Sequence, residues 1–186
     1  MAKRNIVLAV SASIAAYKAC DIVSALVKMD YQVQVVMTDN ACEFIKPICF
    51  ESLSKRPVLI SQFDNSLAHI EIANWADIFL IAPATANIIG KIANGIADDF
   101  LTTTVLATKS PVIFAPAMNT QMWNNSILVS NVQKLQLYGY DFIMPESGIL
   151  ACGEQGLGKL ASADTIVNFV ENKLLQFTVS KNSFFK

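Results

Sequence analysis

Short, almost unbroken apolar runs recur at residues 5–10, 33–37, 78–82, 112–115 and 142–144, with stretches of helical character between them. A strand with one face in water alternates apolar and polar positions. Runs that are apolar throughout predict strands covered on both faces, the pattern of a parallel sheet. Helices are expected at 15–29, 85–94, 97–107 and 125–138, and a last amphipathic one at 163–175 with Ser162 as its cap. Repeating strand–helix units of this kind imply an α/β fold: a three-layer, doubly wound parallel sheet, Rossmann-like and flavodoxin-type, with right-handed crossovers. Residues 61–69 and 145–159 read as longer irregular stretches. At 186 residues the chain suits one domain with a full core, expected over 1–178, followed by a flexible tail at 179–186.

Ligands of such sheets bind beyond the carboxyl ends of the strands. That rule selects the loops at 11–13, 38–40, 83–87 and 116–119. In the first, Ser11 and Ser13 lead straight into a helix, whose free N–H groups and dipole favour an anion. A serine there is more commonly a helix cap, and both readings stay open. No G-x-G-x-x-G fingerprint is present, so a nicotinamide dinucleotide is not indicated. Thr38 and Thr85 follow the next two strands, and three hydroxyl-bearing strand ends together favour a mononucleotide such as FMN.

The segment Pro116-Ala-Met-Asn-Thr-Gln-Met-Trp123 carries the most pointed chemistry. Pro116 stops a buried strand, and Asn119 then offers an uncharged amide amid the apolar bulk of Met118, Met122 and Trp123. A polar group in an apolar mouth suits a small-molecule site. The plainer alternative is a turn whose asparagine caps a helix beginning near Asn124 or Asn125.

Composition narrows the picture. Charged residues are 16% of the chain, against a usual ~25%. Hydrophobic residues reach 53%, a sign of oligomerisation through apolar faces. A net charge of -1 gives no electrostatic case for nucleic acid or an anionic membrane. Apolar stretches break before the ~18 residues that a membrane span needs. The first residues have some signal-peptide character, but Ser11 and Ser13 interrupt the apolar region and cleavage would remove a good strand. A cytoplasmic location is expected. Cys20, Cys42, Cys49 and Cys152 form no C-x-x-C pair, and with a single histidine neither a metal site nor a disulfide framework is suggested.

Five more motifs join the Pro116–Trp123 segment. They are Ser11-Ala-Ser-Ile-Ala-Ala-Tyr-Lys18, His69-Ile-Glu-Ile with Trp75-Ala-Asp77, Ala82-Pro-Ala-Thr-Ala-Asn87, Gly95-Ile-Ala-Asp98 and Leu150-Ala-Cys-Gly-Glu-Gln-Gly-Leu-Gly158. Together they resemble the homo-oligomeric flavin-containing cysteine decarboxylases, over nearly the whole chain to about Leu175. Ala12 stands where that family usually has glycine.

The resemblance implies FMN held by Ser11, Ser13, Thr38, Thr85 and Asn87, with the backbone near Ala117 approaching the ring. It implies His69, Asn119 and Cys152 as catalytic residues and Asn119, Met122 and Ala151 as substrate contacts. It also implies a homotrimer, often assembled further to a dodecamer, with each site built across a subunit interface. The implied branch of the family decarboxylates 4'-phospho-N-pantothenoylcysteine in coenzyme A biosynthesis. A cysteine carboxylate lacks an electron sink for the electrons left by CO2, and oxidation of the thiol to a thioaldehyde supplies one. Asn119 would hold the carboxylate without a full charge, since an arginine would stabilise the ground state more than the transition state. His69 would act as base or orienting group, although lone histidines more often sit at a surface or interface. Cys152, in a glycine-rich stretch suited to a lid, would donate the proton that completes reduction of the enethiolate. A small buried thiol is the commoner fate of a cysteine. Lys159 could meet a substrate phosphate, though a solvated lysine is the more frequent case.

Three other classes share parts of this pattern. A peptidyl-cysteine decarboxylase would release the enethiol and has no need of Cys152. In a flavin prenyltransferase the Pro116–Trp123 segment would be out of place. A regulatory flavoprotein that inhibits a phosphatase would tolerate loss of Asn119 or Cys152. The enzyme of the coenzyme A route is therefore the expectation, with its partner ligase on a separate protein.

Overall fold

The computed structural model describes residues 3–61, 63 and 67–183, with 177–183 as backbone only. Five parallel strands form the sheet: β1 (Asn5–Val10), β2 (Gln32–Met37), β3 (Ile78–Ala84), β4 (Val112–Pro116) and β5 (Asp141–Phe142). They lie in the order β2-β1-β3-β4-β5, the flavodoxin-like arrangement. In β1 every residue from Ile6 to Val10 is fully buried, as its unbroken apolar sequence requires.

Alternation of side chains along each strand divides the core in two. Ile6, Leu8 and Val10 face one layer, where they meet Ile22 and Leu26 of α1 (Ala19–Lys28), Phe50 of α2 (Pro47–Ser54) and Ile166 and Val170 of α8 (Ala163–Ser183). Val7 and Ala9 face the other layer, built from α3 (Ala68–Trp75), α4 (Ala86–Ala93), α5 (Phe100–Ala107) and α7 (Ser126–Leu137). Between β4 and α7 lies the single turn α6 (Thr120–Trp123). The Phe142 ring stacks on Phe114 at 4.7 Å, anchoring the short edge strand β5.

The differences from expectation have physical causes. Helices α2 and α3 lie in the β2–β3 connection, where no helix was expected; they bury only Phe50, and Ala68 with Ala73, too little for an apolar stripe. The helix expected at 15–29 opens as a 3-10 turn over Ile14–Lys18 before α1 begins. The stretch expected to be irregular at 145–159 is a hairpin of β6 (Glu146–Ile149) and β7 (Gln155–Lys159). The last helix, expected to end at 175, continues to Ser183. Of the expected tail, residues 184–186 lie outside those described, as do 62 and 64–66 of the 61–69 stretch.

Because β1–β4 are parallel, the loops after them meet at one edge. The order reverses between β1 and β3, the crevice where such sheets bind ligands. The β6–β7 hairpin returns over this edge and is pinned there, with Met118 N–H donating to Gly158 O at 2.9 Å. Two glycines permit the approach: a Cβ on Gly158 would stand 2.1 Å from Met118 O, and one on Gly156 would stand 2.2 Å from Thr120 Oγ1.

Candidate active site

The hydroxyls of the strand-end loops serve first as helix caps. Ser13 Oγ accepts from Ala15 N–H at 3.2 Å, Thr38 Oγ1 from Ala41 N–H at 3.3 Å and Thr85 Oγ1 from Ile88 N–H at 3.3 Å. A capping hydroxyl accepts from the backbone and keeps its own O–H to donate. Capping and anion binding are therefore compatible at these positions. This donor set, on the crevice edge of the sheet, fits a phosphorylated flavin. Ala12 has no positive φ, so its methyl costs no backbone strain.

Ser11 behaves differently. It is 1% exposed; its hydroxyl donates to Pro83 O at 2.8 Å and accepts from Thr85 N–H at 3.1 Å. Its bonding capacity joins the end of β1 to the end of β3 rather than facing a ligand. Ser11→Ala should therefore destabilise the protein by roughly 1–3 kcal/mol, because the Thr85 N–H loses its acceptor while Pro83 O keeps only the long bond from Ser11 N–H at 3.4 Å, measured by urea unfolding of the flavin-free protein. A change below about 0.5 kcal/mol, the size of an ordinary surface substitution, would remove that clamp.

A cavity of about 440 Å³ lies beside the crevice. Ser13, Ala117, Asn119, Ala151 and Cys152 line it, and Ile14, Ile149 and Leu150 give it apolar walls. Asn119 caps α6, its Oδ1 accepting from Gln121 N–H at 2.8 Å. Its Nδ2 is thereby turned to the hairpin and donates to Cys152 Sγ at 3.7 Å. The Cys152 thiol in turn donates to Glu154 Oε2 at 3.8 Å. Glu154 was not singled out from sequence; its position two residues after Cys152, within one tight turn, is the signal that could have found it. That turn is closed on itself by Leu150 N–H to Glu154 O and Gly153 N–H to Leu150 O, both at 2.9 Å.

The other sequence candidates fall into two groups. Thr38, Thr85 and the exposed Asn87 stand on the same sheet edge but outside the cavity lining. His69 lies half-buried in the first turn of α3, also at this edge, and does not line the cavity. Met122 is 49% exposed on α6 and Trp123 packs into the core, so only Met118 of that trio lines the cavity. Among the described residues no cluster of metal ligands occurs, and no helix is long and apolar enough to cross a membrane.

A family model described as Flavoprotein matches residues 1–175. The chain belongs to the Flavoprotein family. This flavoprotein is 46% identical to the coenzyme A biosynthesis bifunctional protein CoaBC of Bacillus subtilis (strain 168), over 94% of its own length and 44% of that protein's. It thus spans less than half of the bifunctional relatives it matches. It is 45% identical to the probable phosphopantothenoylcysteine decarboxylase of Streptococcus mutans serotype c, covering 92% of this chain and 99% of that one. Among solved structures it superposes on a PPC decarboxylase mutant complexed with pantothenoylaminoethenethiol. There the TM-score is 0.82 and the identity 31%, with 91% of this chain and 97% of that one covered. The FMN-dependent cysteine decarboxylase SpaF matches with TM-score 0.79 and 30% identity, over 94% and 97% of the two chains.

Proposed function

We propose that this flavoprotein binds FMN and decarboxylates 4'-phospho-N-pantothenoylcysteine to 4'-phosphopantetheine in coenzyme A biosynthesis. The observation that carries the reading is the contact of Asn119 with Cys152 in one cavity. An amide suited to a carboxylate stands beside a thiol suited to deliver a proton. The likeness to a full-length probable decarboxylase supports the substrate.

FMN, held by Ser13, Thr38, Thr85 and Asn87, supplies oxidation of the substrate thiol and the later return of those electrons. The protein's own groups do the rest. Asn119 Nδ2 donates to the substrate carboxylate, and the neutral amide stabilises that anion less than an arginine would, so less is lost as CO2 departs. Ile14, Ile149 and Leu150 give the cavity apolar walls, which exclude water from the reacting carbons once a neighbouring subunit covers them. Cys152 then gives its S–H proton to the enethiolate, and Glu154, the acceptor of that S–H bond, holds the thiol in position.

His69 is the proton handler for the thiol. Since it stands outside the cavity of its own chain, we assign it to the site of a neighbouring subunit in a trimer, which can assemble further to a dodecamer. Exposed Ile14, Tyr17 and Ile149 at the cavity rim favour such coverage. Residues 1–178 act as one decarboxylase domain, and a cytoplasmic location suits a biosynthetic enzyme.

Incubation of the FMN-loaded protein with 4'-phospho-N-pantothenoylcysteine should yield a product lighter by one CO2, detected by mass spectrometry. Cys152→Ser should still lose CO2 but release an oxidised product. Full yield of 4'-phosphopantetheine from that variant would reject the proton-donor role, and no turnover by the unaltered protein would reject the function. A peptidyl-cysteine decarboxylase has no task for a thiol at this contact.

A further inference from the structure

Beside the main cavity lies a second one of about 330 Å³, and Tyr17, Lys18, Lys159 and Leu160 form the wall they share. Two lysines thus line the junction. Both lysines are half-buried, and neither makes an ion pair with a described residue. Lys18 Nζ lies 6.0 Å from the centroid of the Tyr17 ring.

The isolation of Lys159 has a structural cause. Its cross-strand neighbour in the hairpin is Glu146, the obvious counter-ion. Glu146 Oε1 instead accepts from Ser162 N–H at 2.8 Å, ahead of α8. Gly148 on the facing strand leaves room for the lysine stem: a Cβ there would stand 3.2 Å from Lys159 Cδ. A half-buried cation loses hydration and, without a partner, gains nothing in return. An anion seated at the wall would reverse that loss. Asp21 and Glu146 line the smaller cavity as well, so its two lysines and two carboxylates leave little net charge there. Such a seat holds free phosphate weakly, and takes a phosphate group when the rest of the ligand is anchored elsewhere.

We infer that Lys159 and Lys18 seat the phosphomonoester of the substrate, with its thiol end at Asn119 and Cys152; this rests on the function proposed above. The flavin phosphate is the other possible source of the same chemistry. Of the three capping hydroxyls proposed for the flavin, Ser13 lines the main cavity alone and Thr38 and Thr85 line neither, whereas the two lysines reach into the second cavity as well. The second cavity thus offers a phosphate place that none of those hydroxyls shares.

The test compares FMN-loaded Lys159→Gln, Lys18→Gln and Lys159→Arg with the unaltered protein on 4'-phosphopantothenoylcysteine and its unphosphorylated counterpart. Each glutamine variant should lose roughly 10–100-fold in kcat/KM, the size of a charge-assisted contact, on the phosphorylated substrate alone. The loss should fall in KM, Lys159→Arg should recover most of it, and FMN content should stay level. Equal losses on both substrates, or loss of FMN with KM unchanged, would overturn the assignment. Calorimetric titration with 4'-phosphopantetheine and pantetheine keeps the seat testable if no turnover occurs. The unaltered protein should prefer the phosphorylated ligand and Lys159→Gln should not; absence of that preference rejects the seat whatever the reaction.

Discussion

Asn119→Asp is expected to abolish decarboxylation while leaving the fold intact. The replacement is nearly isosteric, and aspartate caps a helix as well as asparagine does. The Oδ1 bond to Gln121 N–H therefore survives, and with it the start of α6. What disappears is the Nδ2 donor that points to Cys152 and, in the proposed reaction, to the substrate carboxylate. In its place stands a second negative charge. Loss of a single preorganised donor costs about 10²–10³ in kcat, and repulsion between carboxylates adds to it. We expect a fall of at least ~100-fold from the lost donor alone, with a Tm within a few degrees of the unaltered protein. Activity within threefold of the original, measured by CO2 release, would remove Asn119 from the site.

Gly158→Ala should cost both stability and turnover. A Cβ there would meet Met118 O at 2.1 Å, a contact with backbone that no side-chain rotation relieves, and φ is +151°. The hairpin would lift from the Asn119 loop and carry Cys152 away from its partner. Overpacking of this kind costs about 1–3 kcal/mol, and a displacement of about 1 Å at a reacting group can cost ~100-fold in rate. Gly153→Ala provides the contrast. Gly153 also has positive φ, +84°, but nothing lies within 4 Å of the added carbon, so backbone strain is its only penalty. Equal losses of kcat in the two variants, measured beside their melting curves, would show that seating of the hairpin does not matter.

The sheet was legible because its strands are covered on both faces, so Ile6–Val10 and Ile78–Ala84 announce themselves as unbroken apolar runs. The hairpin was not. Gly148, Gly156 and Gly158 leave no alternation to read, and its position is set by contacts with Met118 and Thr120, distant in sequence. Asn119 and Cys152 were found separately, and their meeting is a property of that tertiary docking. Ser11 shows the opposite limit. A serine in a strand-end loop looks the same in sequence whether its hydroxyl faces a ligand or a buried carbonyl. Met122 and Trp123 looked alike beside the amide, until one turn of helix sent the indole inward and the thioether out.

The turn from Leu150 to Glu154 is bonded to itself, and its hairpin grips the rest of the protein at the Gly156–Gly158 end. Such a segment behaves as an exchangeable cassette. Its tip can change composition, and with it, in the proposed reaction, the fate of the product, while the sheet, its core and the hydroxyl loops stay as they are. Divergence of outcome on this scaffold then needs a few substitutions at one turn, provided that the two glycines behind it are kept.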